Sequence, residues 1–396
     1  MREPLKFGYR ATTQKRALMM ALANAGGYCV FWPLTLLRRL TARPLATGTS
    51  IKIAVFRLDG IGDLILSAPS LAFLRELFPD AHITLFVNAW SKGIAELIDG
   101  PDETIALDAP FFTAFKESSK FSAIRKEKRF LNRHARDHRY DLVIDLRGDL
   151  LSILPASWLR SSTLAARRTR AGGFLLSHVV DQSNEGKISE VDLNVDFIAK
   201  LFSVSPKPFP LQLQAVPTEQ LSSVFTEALS GFDSGYMTLA VAAPYERRMY
   251  PIEKWRSVIQ HLRSLTSIPI VILGTAKEKD RCDSVAQNFE HVTVCAGTFS
   301  LEESAECIRR SVLFAGNDGG LSHIAAAYEV PLVQLFGPGS SVAFGHRGDR
   351  QIVLQDSCEF NACAEVNCER PERWCMDHID PAVVAGKIMS LMSMEN

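Results

Sequence analysis

Apolar runs of four to seven residues alternate along the chain with stretches in which apolar positions recur every three or four residues. The first pattern suits buried strands and the second amphipathic helices. In the first half the strand candidates are IKIAVF (51–56), HITLFV (82–87), TIALD (104–108) and DLVIDL (141–146), and a helix is expected from near Asp63 to just before Pro79. The rhythm restarts with YMTLAVA (236–242), PIVILG (269–274), VTVCAG (292–297), SVLFAG (311–316) and PLVQLFG (331–337). Strands this uniformly apolar belong in parallel sheets covered by helices on both faces, so the expected class is α/β with two similar halves. The Pro-rich stretch SPKPFPLQLQAVP, Ser205–Pro217, reads as the linker between them. The expected organisation is an N-terminal extension over 1–50, a first domain over 51–204, the linker over 205–217, a second domain over 218–378 and a C-terminal helix over 379–396. Ligands of open α/β sheets bind at the carboxyl ends of strands, which makes the cleft between two such domains the expected site.

Composition adds a boundary condition. The 396 residues are 47% hydrophobic, enough for a large core, and carry no net charge, which argues against a nucleic-acid partner. The charge is unevenly placed: residues 1–50 hold eight Lys and Arg against Glu3 alone, leaving the remainder about 7 charges negative. Between Arg16 and Arg38 runs an uncharged stretch that Asn24, Gly26, Gly27 and Pro33 interrupt, a poor spanning helix with no small-residue cleavage site after it. Two readings stay open for it. One is an interfacial segment with Phe31 and Trp32 in lipid and the flanking arginines on anionic headgroups; the other is a packed extension. Eight cysteines without a disulfide-like framework through the core point to a reducing compartment, the cytoplasm.

Two glycine-containing loops carry the candidate chemistry. RLDGIGDLILSAPSL, Arg57–Leu71, follows the first strand candidate and begins like a dinucleotide loop, but it lacks the third glycine and places Asp63 where phosphate oxygens would come. On pattern alone Asp63 reads as the cap of a helix beginning at Leu64. The second loop, NDGGLSH, follows SVLFAG. There Asp318 is placed to cap, Gly319 and Gly320 permit a sharp turn, and a helix starting near Leu321 would offer free N–H groups and its positive dipole end to a diphosphate. His323 stands one turn in and could face the same anion or simply pack.

NDGGLSHIAAA together with RLDGIGDLILSAPSLAFLRELFPDA resembles glycosyltransferase family nine, the ADP-heptose:lipopolysaccharide heptosyltransferases, and the likeness extends over YDLVIDLRG and PIEKWRSVIQHL, from about Ile51 to the C-terminus. It implies a GT-B fold: two Rossmann-like domains with parallel sheets facing a central cleft, the acceptor bound by the first and the nucleotide-sugar donor by the second. It also implies that Asp63 is the catalytic base, with Gly60, Gly62, Arg57 and Arg147 on the acceptor side. The donor side would comprise Arg248, Asp318, Gly319, Gly320, Leu321, Ser322, His323, Pro244 and Gly274. Ala243 and Pro244 stand where the family has hydroxyl residues, Arg248 where it has Lys, Gly319 where Thr is commoner, and Ala276 near a carboxylate that contacts the nucleoside, with Glu278 two residues on. Arg keeps the charge and adds a planar fork suited to phosphate. The implied reaction is an inverting sugar transfer to a lipopolysaccharide core or related glycan. It would need no cofactor, and with no Asp-x-Asp motif in the donor loops, no metal. Enzyme of another nucleotide sugar and non-catalytic glycan binder remain as alternatives.

Two further features are ambiguous. The basic run Lys116–Arg139, with Arg160, Arg167, Arg168 and Arg170 after it, is either a solvated face or a hold on an anionic acceptor at the inner-membrane surface. Cys358, Cys363, Cys368 and Cys375 are spaced without a C-x2-C knuckle, which leaves free thiols, a disulfide and a metal site open.

Overall fold

The apolar runs form strands because each is long enough to be buried on both faces and is flanked by residues that stop it. A computed structural model of the chain describes residues 22, 25–30, 33, 36, 51–109, 120–159, 161, 163–167, 171–181, 184, 186–232, 234–356 and 375–395. The chain packs as two units, residues up to Pro210 without Gly186–Ser189, and those four residues with Leu211 onward.

In the first unit β1 (Lys52–Arg57), β2 (His82–Asn88), β3 (Glu103–Leu107), β4 (Leu142–Asp145), β5 (Thr163–Arg167) and β6 (His178–Val180) form a parallel sheet in the order β3-β2-β1-β4-β5-β6. The second unit repeats the plan with β7 (Met237–Ala240), β8 (Ile270–Leu273), β9 (Val292–Val294), β10 (Leu313–Asn317), β11 (Leu332–Phe336) and β12 (Gln351–Gln355), ordered β12-β11-β10-β7-β8-β9. Each sheet reverses its direction of strand addition once, between β1 and β4 and between β7 and β10. That reversal is the Rossmann switch point, where the loops leaving two adjacent strands diverge and open a crevice.

Three strands fall outside the expected set. TLAAR of β5 is alanine-rich and ends on a charge, β6 has three residues, and β12 is half-buried along its whole length. The helix expected from Asp63 to Pro79 is two helices, Ile61–Ile65 and Ala68–Leu77. Pro69 has no N–H to continue the ladder. The carbonyls around the break are met otherwise: Leu64 O accepts the Ser67 hydroxyl at 2.6 Å and Leu66 O the Asn194 amide at 3.1 Å.

Helix Lys120–Asp137 resolves part of the basic run. Glu127, Leu131, His134 and Ala135 form its inward stripe, while Lys126, Lys128, Arg129, Arg133 and Arg136 stay in solvent. Arg167 departs from the expectation of a surface cation: it is buried and donates to Glu190 at 3.0 Å. Residues 116–119, Arg160, Arg168, Arg170, Cys358, Cys363 and Cys368 lie outside the described residues, and with them the reading of the cysteine cluster. So does most of 1–50. Where that extension is described, Tyr28 meets Phe174 edge-on at 6.2 Å, and a Cβ on Gly27 would fall 2.3 Å from the Phe174 ring, so only glycine allows the approach. No described helix is long and apolar enough to cross a membrane.

Candidate active site

At the first switch point, β1 ends on Arg57 and β4 on Asp145, and the loops beyond them carry Asp59, Asp63, Arg147 and Asp149. Arg57 is 1% exposed. Its guanidinium lies 3.0 Å from Asp59, donates to the carbonyls of Asp63 at 3.1 Å and Leu146 at 2.9 Å, and reaches the Asp63 carboxylate at 3.5 Å. Burying a guanidinium costs several kcal/mol unless it is paired and hydrogen-bonded, and here Asp59, Asp63 and Leu146, on two loops, surround it, although its Nη2 makes no hydrogen bond. Arg57 therefore braces the loop from within.

Asp63 sits on the third position of helix Ile61–Ile65, whose N-cap is Gly60, so it is not the cap of a helix beginning at Leu64. Its side chain is 37% exposed, against 9% for Asp59. Burial lifts Asp59 above the ordinary carboxylate range, with Arg57 and Arg147 pulling it back. Arg147 is held by Asp149 at 2.6 Å and Asp59 at 3.8 Å. Asp149 also caps helix Leu150–Ser157, accepting from Leu151 and Ser152 N–H. Asp145 is fully buried and accepts from Gly148 N–H at 2.5 Å and the Ser152 hydroxyl at 3.1 Å; burial raises it to about 7. Asn88, buried at the end of β2, ties the Leu58 and Asp59 carbonyls to that strand. Of this group Asp63 is the carboxylate most open to a solute, and Arg57 holds its loop.

At the second switch point, β7 leads through a loop to the turn Glu246–Arg248, and β10 to Asp318. Arg248 pairs with Asp318 at 3.0 Å and lies over the Tyr245 ring. Gly319, not Asp318, is the N-cap of helix Gly320–Ala327, because Asp318 is committed to Arg248 and its N–H to Leu335 O. Ser322 closes the helix start, its hydroxyl donating to Gly319 O at 2.7 Å and receiving Gln334 Nε2 at 2.8 Å. His323 is 4% exposed, with Nδ1 2.8 Å from His346 Nε2 and Nε2 4.0 Å from Asp318. Burial and then Arg248 push its pKa down to about 4, so it is neutral here rather than the cation a diphosphate would most simply attract.

The remaining expected residues are placed nearby along the chain without joining this cluster. Pro244 is exposed on the loop after β7. Gly274 follows β8 in a spot where a Cβ would meet Cys282, Glu278 and Ala296 at 3.2–3.4 Å. Glu278 accepts from Thr275 N–H at 2.7 Å and its hydroxyl at 2.9 Å, a capping box that occupies its carboxylate locally. Asp59, Asp145, Asp149, Gln334 and His346 were not anticipated. The first three flank named residues within RLDGIGD and DLRGD, and alternating charge beside a buried strand was the available signal.

Two Rossmann-type units, each with a polar cluster at its switch point, are the architecture of a GT-B glycosyltransferase. Residues 129–372 match the profile of glycosyltransferase family 9 (heptosyltransferase), more than half of the chain, and the chain belongs to that family. It is 24% identical over 317 residues to lipopolysaccharide heptosyltransferase 1 of Escherichia coli K12, covering 77% of this chain and 93% of the relative. Its fold matches the E. coli ADP-heptose LPS heptosyltransferase II with a TM-score of 0.68 at 20% identity, covering 87% and 99% of the two chains. It also matches the E. coli heptosyltransferase WaaC solved with ADP, TM-score 0.66 at 18% identity, covering 86% and 100%.

Proposed function

We propose that this glycosyltransferase moves heptose from ADP-heptose to a lipopolysaccharide core or related glycan at the cytoplasmic face of the inner membrane. Asp63 takes the proton of the acceptor hydroxyl. The observation that carries this reading is the contrast within the first cluster: the Asp63 side chain is 37% exposed, while Arg57 and Asp145 are buried and the Asp59 side chain is 9% exposed. Arg57, hydrogen-bonded to the Asp63 carbonyl and 3.5 Å from its carboxylate, braces that base, and a positioned base is worth roughly 10² to 10⁴ in rate. Deprotonated, the hydroxyl attacks the anomeric carbon from the face opposite the leaving diphosphate, and the product is inverted. Charge developing on that diphosphate is met by Arg248 and by the N–H groups at the start of helix Gly320–Ala327. The names of the relatives support ADP-heptose as donor.

A second reading, another nucleotide sugar on the same chemistry, is favoured by Ala276 and by the local engagement of Glu278. The test is calorimetry of ADP-heptose against UDP- and GDP-sugars, followed by product release with a deacylated core acceptor. Tightest binding and turnover with ADP-heptose are expected; turnover confined to a UDP- or GDP-sugar would establish the second reading.

A further inference from the structure

The second cluster contains a histidine pair that the reaction scheme does not use. His346 lies on the loop between helix Ser341–Phe344 and β12, 23 residues from His323 in sequence, with its Nε2 2.8 Å from His323 Nδ1. Only one of two neutral imidazoles can donate across that contact. If His323 Nδ1 carried the proton, its Nε2 would present a bare lone pair to the Asp318 carboxylate 4.0 Å away, a repulsive arrangement in a site that buries the ring. The opposite choice avoids this: His346 Nε2–H donates to His323 Nδ1, and His323 Nε2–H faces Asp318 at 4.0 Å, too far for a direct hydrogen bond but of favourable polarity.

We propose that His346 is a positioning residue that locks His323 as a neutral Nε2–H donor, directed at the corner formed by Asp318 and Arg248. Neutral imidazole is the state both rings favour, since burial keeps His323 and His346 uncharged. The loop bearing His346 is itself tied to the start of helix Gly320–Ala327. His346 N–H donates to Gln334 Oε1 at 3.3 Å, and Gln334 Nε2 to the Ser322 hydroxyl at 2.8 Å, which in turn donates to Gly319 O at 2.7 Å. Gln334 is fully buried in the middle of β11, where an apolar residue is the rule, and both ends of its amide are used. Arg347 fastens the same loop through Ser341 O at 2.7 Å and the Ser341 hydroxyl at 3.1 Å. One chain of hydrogen bonds thus fixes both the glycine turn and the ring behind it. This rests on the reading of Gly319–His323 as the diphosphate end of the donor site, where a fixed N–H donor binds an anion without adding a charge that must be neutralised when the site is empty.

The test uses the whole protein. Nitrogen-15 spectra of labelled histidine, with His323 assigned through His323→Gln, report the tautomer in the absence of ligand. Nε2–H is expected in the wild type, with a share of Nδ1–H appearing in His346→Phe, where Asp318 alone biases the ring; Nδ1–H on His323 in the wild type, or the same pure Nε2–H in His346→Phe, would overturn the proposal. Calorimetry with ADP then reads the consequence. His346→Phe should bind about tenfold more weakly, the scale of one hydrogen bond to a charged group, while His346→Gln, whose amide can still donate, should bind like the wild type. Equal ADP affinity in His346→Phe and wild type would also overturn it. Should the wild type fail to bind ADP while the tautomer follows His346 as stated, the lock stands and the donor reading falls, so the two fail separately.

Discussion

The two switch points share a strand order and differ in almost everything else. The first gathers Asp59, Asp63, Asp145 and Asp149 around two guanidiniums, one of them wholly buried, and leaves a single carboxylate in reach of solvent. The second has glycines and a helix start, one Arg–Asp pair and two neutral histidines. A surface that takes a proton needs an anion held still, and one that receives a diphosphate needs donors whose own charges are already balanced. The same topology supplies diverging loops in both places, and the residues at the strand ends decide their charge.

This contrast can be broken at several points. The largest effect is expected from Asp63→Asn, which should lower turnover by about 10² to 10⁴ while the fold survives, measured as initial rate of product formation. Arg57→Met should cost about 3–5 kcal/mol in urea unfolding, because it strands Asp59 as a buried and partly uncompensated charge. An unchanged midpoint would mean that Arg57 does not brace the loop. Arg248→Ala should weaken ADP binding by roughly ten- to a hundredfold through loss of a charge-assisted contact, and should lower stability as well, because it takes that partner from the buried Asp318 carboxylate. Asp145 offers the smallest and most specific effect. Its carboxyl titrates near 7 in the folded chain, well above the ordinary range it returns to on unfolding, so folding takes up a proton between those values. Its contribution to stability is therefore present in acid and lost as the pH rises through about 7. Asp145→Asn should flatten that part of the stability profile and gain on the wild type at pH 8, as followed by urea unfolding at pH 5 and pH 8.

Much of this was legible in the sequence because the buried parallel strands leave long apolar runs, and the loops after IKIAVF and SVLFAG carry glycines and carboxylates in recognisable motifs. β5 was hidden by its alanines and its terminal Arg167, whose partner Glu190 lies 23 residues on; β12 was hidden by its half-exposed edge position. The site was half legible. Asp63, Arg248 and Asp318 stand in motifs, whereas the burial of Arg57 and the neutrality of His323 depend on residues brought from other loops. His346 carries no local pattern at all: its role arises from a contact across β11. Helix caps misled in the same way at both loops, since Asp63 and Asp318 had the right identity for capping and were instead drawn to arginines.

The division of labour between the switch points is tested most directly by titrating ADP into Asp63→Asn and Arg248→Ala side by side in a calorimeter. The account predicts wild-type affinity for Asp63→Asn and a loss of about tenfold or more for Arg248→Ala. Equal loss in both, or loss in Asp63→Asn alone, would contradict it.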